Sequence, residues 1–148
     1  MYGAGIIEDL EDQFIDGHSQ QYYVLRIPIG NLKIMVAVES VEDKGIRRIM
    51  ASDVLLDTIG SVRSRPVVMN ENWNQRYKDN LEKIKTGHLG DTAEVFRNLR
   101  NRERERGLSS AEKKMLTNVK QIILSEIILS HEVERLDAEE ILENAIGI

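Results

Sequence analysis

Trp73 is the only tryptophan of the chain, and its setting is polar: Asn70-Glu-Asn-Trp-Asn-Gln-Arg-Tyr-Lys78. Amide side chains surround it at Asn70, Asn72, Asn74 and Gln75, and Arg76 and Lys78 lie just beyond. These residue types suit noncovalent work on nucleic acid. Amides and cations meet groove edges and phosphates, and an aromatic wedge kinks or unstacks a base step in the minor groove. A second cationic set follows at Arg97, Arg100, Arg102, Arg104 and Arg106, and then at Lys113 and Lys114. In Arg102-Glu-Arg-Glu-Arg106 the signs alternate, so part of that run is expected to pair internally. Lys113 and Lys114 have only Glu112 as an immediate acidic neighbour, which makes them the better candidates for phosphate. Spacing alone also admits a plainer reading of the indole. Trp73, Tyr77, Leu81 and Ile84 share one helical face, so Trp73 would be the first rung of a core stripe. Both readings stay open at this level, and both can hold in part, with Tyr77 carrying the core role.

Residues for covalent or metal chemistry do not assemble. His18, His88 and His131 fall in different elements, with no metal-ligand spacing between any two. Gly3-Ala-Gly5 is too short for a phosphate-cradling loop and has no helix after it. Glu139-Glu140 belongs to a helix's first turn, where the macrodipole favours carboxylates without any catalytic role. There are no cysteines, hence no disulfides and no thiolate metal sites. The expectation is a protein that is not an enzyme and needs no cofactor or metal.

The net charge of −5 conceals a polarity. Residues 1–62 hold five Lys and Arg against ten Asp and Glu, residues 63–120 fourteen against eight, and residues 121–148 one against seven. A basic middle between acidic ends attracts polyanions through counterion release, although charged helices also carry such residues as a solvated surface of ion pairs. No apolar run is long enough to span a bilayer, and the start lacks a basic segment followed by an apolar one. A soluble cytoplasmic protein is expected. With 148 residues, 41% hydrophobic but only 5% aromatic, the chain has room for one domain or two small ones with aliphatic cores.

The elements that position these residues divide into two kinds. Residues 1–50 read as strands: Ala4–Leu10, Tyr22–Ile27 and Leu32–Val38, rich in β-branched and aromatic types. Turn signals stand at Asp16-Gly17 and, as a two-residue turn, at Gly30-Asn31. Pro28 cannot donate in a ladder and is expected at an edge or in the turn. Gly45–Met50 reads as one more short strand. Residues 51–148 read as five helices. The first opens at Ser52-Asp53 and is broken by Ser64-Arg-Pro66; the second opens near Asn70 or Asn72 and ends before Gly87. Capping-box spacing at Asp91–Glu94, Ser109–Glu112 and Asp137–Glu140 opens the other three, and Gly107 stops the third. The fold class is α+β: a small antiparallel β domain over 1–50, then an all-α domain over 51–148.

Two stretches, "NWNQRYKDNLEKIKTG" and "RNLRNRERERGLSSAEKKML", resemble the helical domain of the CarD-like bacterial transcription regulators. "YGAGIIEDLE" and "YYVLRIPIGNLKIMVAVE" resemble that family's N-terminal domain, which is Tudor-like and shared with transcription–repair coupling factors. The resemblance spans nearly the whole chain. It implies a β domain that docks on the RNA polymerase β subunit by strand addition, through Leu32, Lys33, Ile34, Met35 and Val36. It further implies a helical domain that contacts promoter DNA at the upstream edge of the bubble. Trp73 matches the family's wedge, with Arg76, Lys78 and Lys113 at nearby basic positions, and the implied result is a stabilised open complex. An adaptor with no DNA contact is the competing reading. Two departures stand out. Relatives carry a further stretch of about ten residues, a first strand, before the tyrosine–glycine turn at which this chain starts. That strand is expected to be missing, leaving an open edge able to recruit partners or to swap strands in a homodimer. Met35 also stands where some relatives have arginine, and Gln75 where a basic neighbour of the tryptophan is found.

Overall fold

A computed structural model describes residues 3–28 and 30–147. Met1 and Tyr2, to which the sequence assigns the start of the opening turn, lie outside the described residues. Three strands form one antiparallel sheet in the order β1 (Ile6–Ile15), β2 (His18–Ile27), β3 (Leu32–Ala37). Asp16 and Gly17 close the first hairpin with φ of 49° and 80°, the positive pair that matches the twist of the flanking strands. A bulge between Ile7 and Asp9 leaves Glu8 out of the ladder, and Glu8 turns to Arg26 and, at 3.5 Å, to Lys33. The second connection runs over residues 28–31, longer than the two-residue turn expected. Pro28 begins it, its carbonyl accepting from Asn31 N at 3.2 Å, and Gly30 and Asn31 take positive φ.

Register places Ile7, Leu10 and Phe14 of β1 on one face with Tyr23, Leu25 and Ile27 of β2 and Leu32, Ile34 and Val36 of β3. Only Ile27 and Val36 of that set are buried, and Phe14 is 78% exposed. The main core is helical. It is built by α1 (Ser52–Gly60), α2 (Trp73–Lys85), α3 (Leu89–Glu105), α4 (Ser110–His131) and α5 (Arg135–Ile146), with α4 touching each of the others. Leu55, Ile59, Phe96, Leu99, Ile123, Leu124, Ile127 and Leu142 are enclosed in it, almost wholly aliphatic as the composition requires.

The expected strand at Gly45–Met50 does not form. Residues 46–50 pair with no strand; they are tied to α4 instead. Arg47 forks onto Glu126 at 2.8 Å and 2.8 Å, and Met50 N donates to the same carboxylate at 3.0 Å. Ser130 Oγ donates to Met50 O at 2.6 Å. Side chains of α4 thus take the backbone N–H and C=O of Met50 that a ladder would have used, and Ile46 N turns back to Val41 O. Beside this segment Gly45 and Gly87 cross at contact distance. A Cβ on Gly87, whose φ is 73°, would lie 2.4 Å from Gly45 O. Ala4 N donates to Ser125 Oγ at 2.7 Å, fastening the start of the sheet to α4 as well.

Two of the three expected capping boxes are displaced. α3 starts at Leu89, before Asp91, because Asp91 is drawn to Thr86 (2.9 Å) and Arg65 (3.4 Å), and Glu94 to Arg65 (3.0 Å) and Lys83 (3.2 Å). α5 starts at Arg135, because Glu132 adopts a left-handed φ of 54° that ends α4 and returns the chain at once. The box at Ser109 forms: Glu112 N donates to Ser109 Oγ at 3.2 Å and Ser109 N to Glu112 Oε1 at 3.4 Å.

Candidate nucleic-acid interface

The first turn of α2 carries the indole. Asn72 is the N-cap, its side chain accepting from Asn74 N (3.0 Å) and Gln75 N (3.2 Å). Asn70 Oδ1 accepts from Asn72 N at 2.9 Å, and Gln75 Nε2 donates to Asp79 at 2.9 Å. Asn70, Asn72 and Gln75, read from sequence as groove-facing, therefore shape the turn. With no helical turn before it to cover the ring, Trp73 remains 48% exposed. Down the same face Tyr77 and Leu81 are half-buried against the core and Ile84 is enclosed. The stripe is present, and the indole stands at its solvent end.

Arg76 departs from the sequence expectation of a DNA contact. It is 3% exposed, with Nε and Nη2 donating to Glu112 at 2.7 Å and 2.8 Å, and Nη1 to the carbonyls of Asn70 and Glu71 at 3.0 Å and 3.2 Å. A guanidinium enclosed in this way has no face left for a phosphate. Glu112 is itself wholly buried. The hydrogen bonds from Arg76 hold its carboxyl below the ordinary glutamate value of 4.5 against the opposing effect of burial, with Ser109 assisting. The same bonds hold Arg76 above its ordinary value.

Glu112 is followed directly by Lys113 and Lys114, both exposed. Lys114 lines a shallow groove between α2 and α4 with Tyr77, Leu81, Ser110, Ala111 and Asn118, and Lys113 and Lys114 border the adjoining hollow with Thr117, Asn118 and Gln121. Tyr77 and Lys114 thus face one groove, Trp73 stands at the start of the helical stripe that Tyr77 continues, and Lys113 borders only the adjoining hollow. Lys78 is exposed too, but five residues beyond Trp73 place it about 140° further round α2.

The arginine run divides: Arg97 turns inward, Arg100 and Arg102 are half-buried, and Arg104 and Arg106 are exposed. Arg97 is buried, donating to the carbonyls of Val62, Arg65 and Pro66 and to Asn98. Arg100 pairs with Glu143 over the Phe96 ring, and Arg106 with Glu71 at 3.4 Å. The glutamates of the run itself take no part in these pairs, contrary to the alternating-sign expectation.

In the sheet, β3 pairs with β2 along one edge, and its other edge has no ladder partner among the described residues. Lys33 and Met35 point to one side and are exposed; Leu32, Ile34 and Val36 point to the other. Val36 is 5% exposed, so its side chain offers nothing to a partner, and only its backbone edge is available. Gln13 Nε2 reaches Met35 Sδ at 3.7 Å. No group of three potential ligands among the described residues could hold a metal ion, and no helix there is long and apolar enough to cross a membrane.

Comparison with known families decides the class. The CarD-like/TRCF RID domain model matches residues 1–50 and the CarD C-terminal domain model residues 57–143. The chain belongs to the CarD-like transcription factor family. A relative, YdeB of Bacillus subtilis (strain 168), is named as a candidate transcription factor. It is 37% identical over 130 residues, covering 86% of this chain and 83% of the relative.

Sequence reasoning on this CarD-like chain missed two buried cations and one role. Arg76 and Arg97 look like surface charges because their carbonyl partners leave no mark in the sequence. Glu112 was legible as a capping residue, but its second function, receiving the Arg76 fork, depends on α2 crossing the start of α4.

Proposed function

We propose that this CarD-like protein is a non-enzymatic regulator that binds the RNA polymerase β subunit and stabilises the open promoter complex. In this reading residues 1–50 are the docking domain and residues 51–148 the DNA-contacting domain. The free edge of β3, with Lys33 and Met35 beside it, supports docking by strand addition, because it presents unpaired backbone groups. Trp73 enters the minor groove at the upstream edge of the bubble, and Lys113 and Lys114 meet phosphate there. Lys78 contacts DNA only where the duplex wraps further round α2. The observation that carries the reading is the half-exposed lone indole at the start of the α2 stripe whose Tyr77 and Leu81 line a groove with exposed Lys114, its turn braced by a buried ion pair. Among the described residues β1 leaves the opposite edge of the sheet without a ladder partner. A strand-swapped homodimer through that edge would set Asp9, Glu11 and Asp12 against their copies, which disfavours it, so the working form in this reading is a cytoplasmic monomer.

The test is Trp73→Ala in a polymerase assay on a forked promoter fragment. The variant should fold and bind polymerase normally and lose open-complex lifetime; an unchanged lifetime rejects the wedge. A salt series separates this reading from an adaptor without DNA contact. Counterion release makes the promoter contribution fall steeply with salt, whereas an adaptor has no such contribution to lose.

A further inference from the structure

We infer that Arg76 is a positioning residue: by gripping Glu112 on one side and the Asn70 and Glu71 carbonyls on the other, it fixes the Trp73 turn relative to the Lys113–Lys114 surface. The inference rests on the reading of Trp73 as the DNA-contacting group.

The guanidinium is a rigid planar fork, and here its two sides engage different elements. One side meets both oxygens of Glu112, at 2.7 Å and 2.8 Å. The other meets two successive carbonyls immediately before the N-cap Asn72, at 3.0 Å and 3.2 Å. Those carbonyls set the direction in which the chain enters α2, and Trp73 is the first residue of that helix. Glu112 belongs to the capped first turn of α4, and the lysine pair is next in sequence. One planar group therefore spans from the indole's turn to the lysines' turn.

Stability alone is a poor reason for this arrangement. A buried ion pair is often matched or bettered by apolar residues of the same volume. What an apolar replacement cannot supply is direction, and a lysine, being a point charge on a flexible stem, cannot supply it either. The rest of the loop is braced separately. Arg97 holds the carbonyls of Val62, Arg65 and Pro66, so loss of Arg76 frees the tryptophan end while the other end stays fixed. Val67 and Val68 are exposed between the two braces, so besides Arg76 the tryptophan end is held by Met69 against the core and by the exposed Arg106–Glu71 pair at 3.4 Å.

Because the chain has one tryptophan, its fluorescence reports this turn directly. Arg76→Lys and Glu112→Gln are measured in the full-length protein for indole anisotropy and acrylamide quenching, with far-UV circular dichroism and thermal melting as folding controls. Both variants should keep their helix content, lower the anisotropy and raise the quenching. In the polymerase assay each should shorten open-complex lifetime roughly 2- to 10-fold, the range for re-ordering a freed side chain on binding. Combined with Trp73→Ala, neither should shorten it beyond Trp73→Ala alone. Should Arg76→Lys unfold at the assay temperature, Glu112→Gln decides, since its amide oxygen still accepts from Ser109. Unchanged anisotropy in folded variants overturns the inference, as does an effect that persists in full without the indole. If Trp73→Ala leaves the lifetime unchanged, the proposed function fails, while the anisotropy still decides whether Arg76 positions the turn.

Discussion

Removing the Arg76 guanidinium strands a carboxylate, and the consequence can be worked out as a function of pH. In Arg76→Met the volume is nearly kept, and Glu112, wholly buried, retains only Ser109 as a partner. A buried pair broken from one side costs about 3–5 kcal/mol if the remaining group stays charged. Glu112 has an alternative, which is to take up a proton. Near pH 7 that costs about 1.36 kcal/mol for each unit above the ordinary value of 4.5, or about 3.4 kcal/mol. Near pH 5 it costs only about 0.7 kcal/mol. Loss of the two carbonyl bonds adds about 1 kcal/mol at any pH. In the wild type the folded value of Glu112 is depressed, so its stabilisation is present above 4.5 and is lost as the pH falls through the folded value. In the variant the folded value is raised, so its penalty is present at high pH and disappears as the pH falls towards 4.5. Both trends narrow the gap on acidification. Urea unfolding followed by far-UV circular dichroism should show Arg76→Met less stable by about 4 kcal/mol near pH 7 and by less than about 2 kcal/mol near pH 5. An equal deficit at the two pH values, or one below about 1 kcal/mol near pH 7, would refute the picture of a desolvated carboxylate held by this one cation.

Trp73→Ala should cost less than about 1 kcal/mol in the same unfolding assay, because half the ring is already in water. Gly87→Ala should lose more than about 1 kcal/mol by thermal melting, since the residue needs positive φ and its Cβ would meet Gly45 O at 2.4 Å. Ser109→Ala removes the formed capping box and should cost about 1 kcal/mol, read as reduced helix content and an earlier melt. Lys113→Ala and Lys114→Ala should each lower the slope of log affinity against log salt by roughly 0.7–0.9 for the polymerase–promoter complex. Lys78→Ala, round the other side of α2, should change it less.

The sheet and the five helices were legible because their signals are local. Asp16-Gly17 has few alternatives to a tight hairpin, and Ser109 with Glu112 three residues on caps itself from within one turn. What misled was competition from a distance. The carboxylates of Asp91 and Glu94 have capping spacing, yet Arg65 and Lys83, brought in by other elements, hold them. Ile46–Met50 has strand composition, yet Glu126 and Ser130 take the backbone groups of Met50 and Glu126 holds Arg47. The candidate site divides the same way. Lys113 and Lys114 were legible as exposed from their place in the first turn of α4, whereas spacing left Trp73 between core and solvent, and only the missing turn before α2 decides for solvent. Arg76 is enclosed only because α2 crosses the start of α4, and no window along the chain contains both.

The segment joining the two halves is bonded through Arg47 and Met50 to Glu126 and through Ser130 to Met50, it passes close against Gly87 at Gly45, and the start of the sheet is fastened separately by Ala4 to Ser125. Such a body works as a caliper. In the proposed complex one jaw is seated on the enzyme and the other falls at a set reach along the template. Where those bonds hold the two jaws at one separation, a melted edge lying one base-pair step away, about 3.4 Å, would miss the ring. Promoter choice would then be written in the bubble's dimensions more than in its letters.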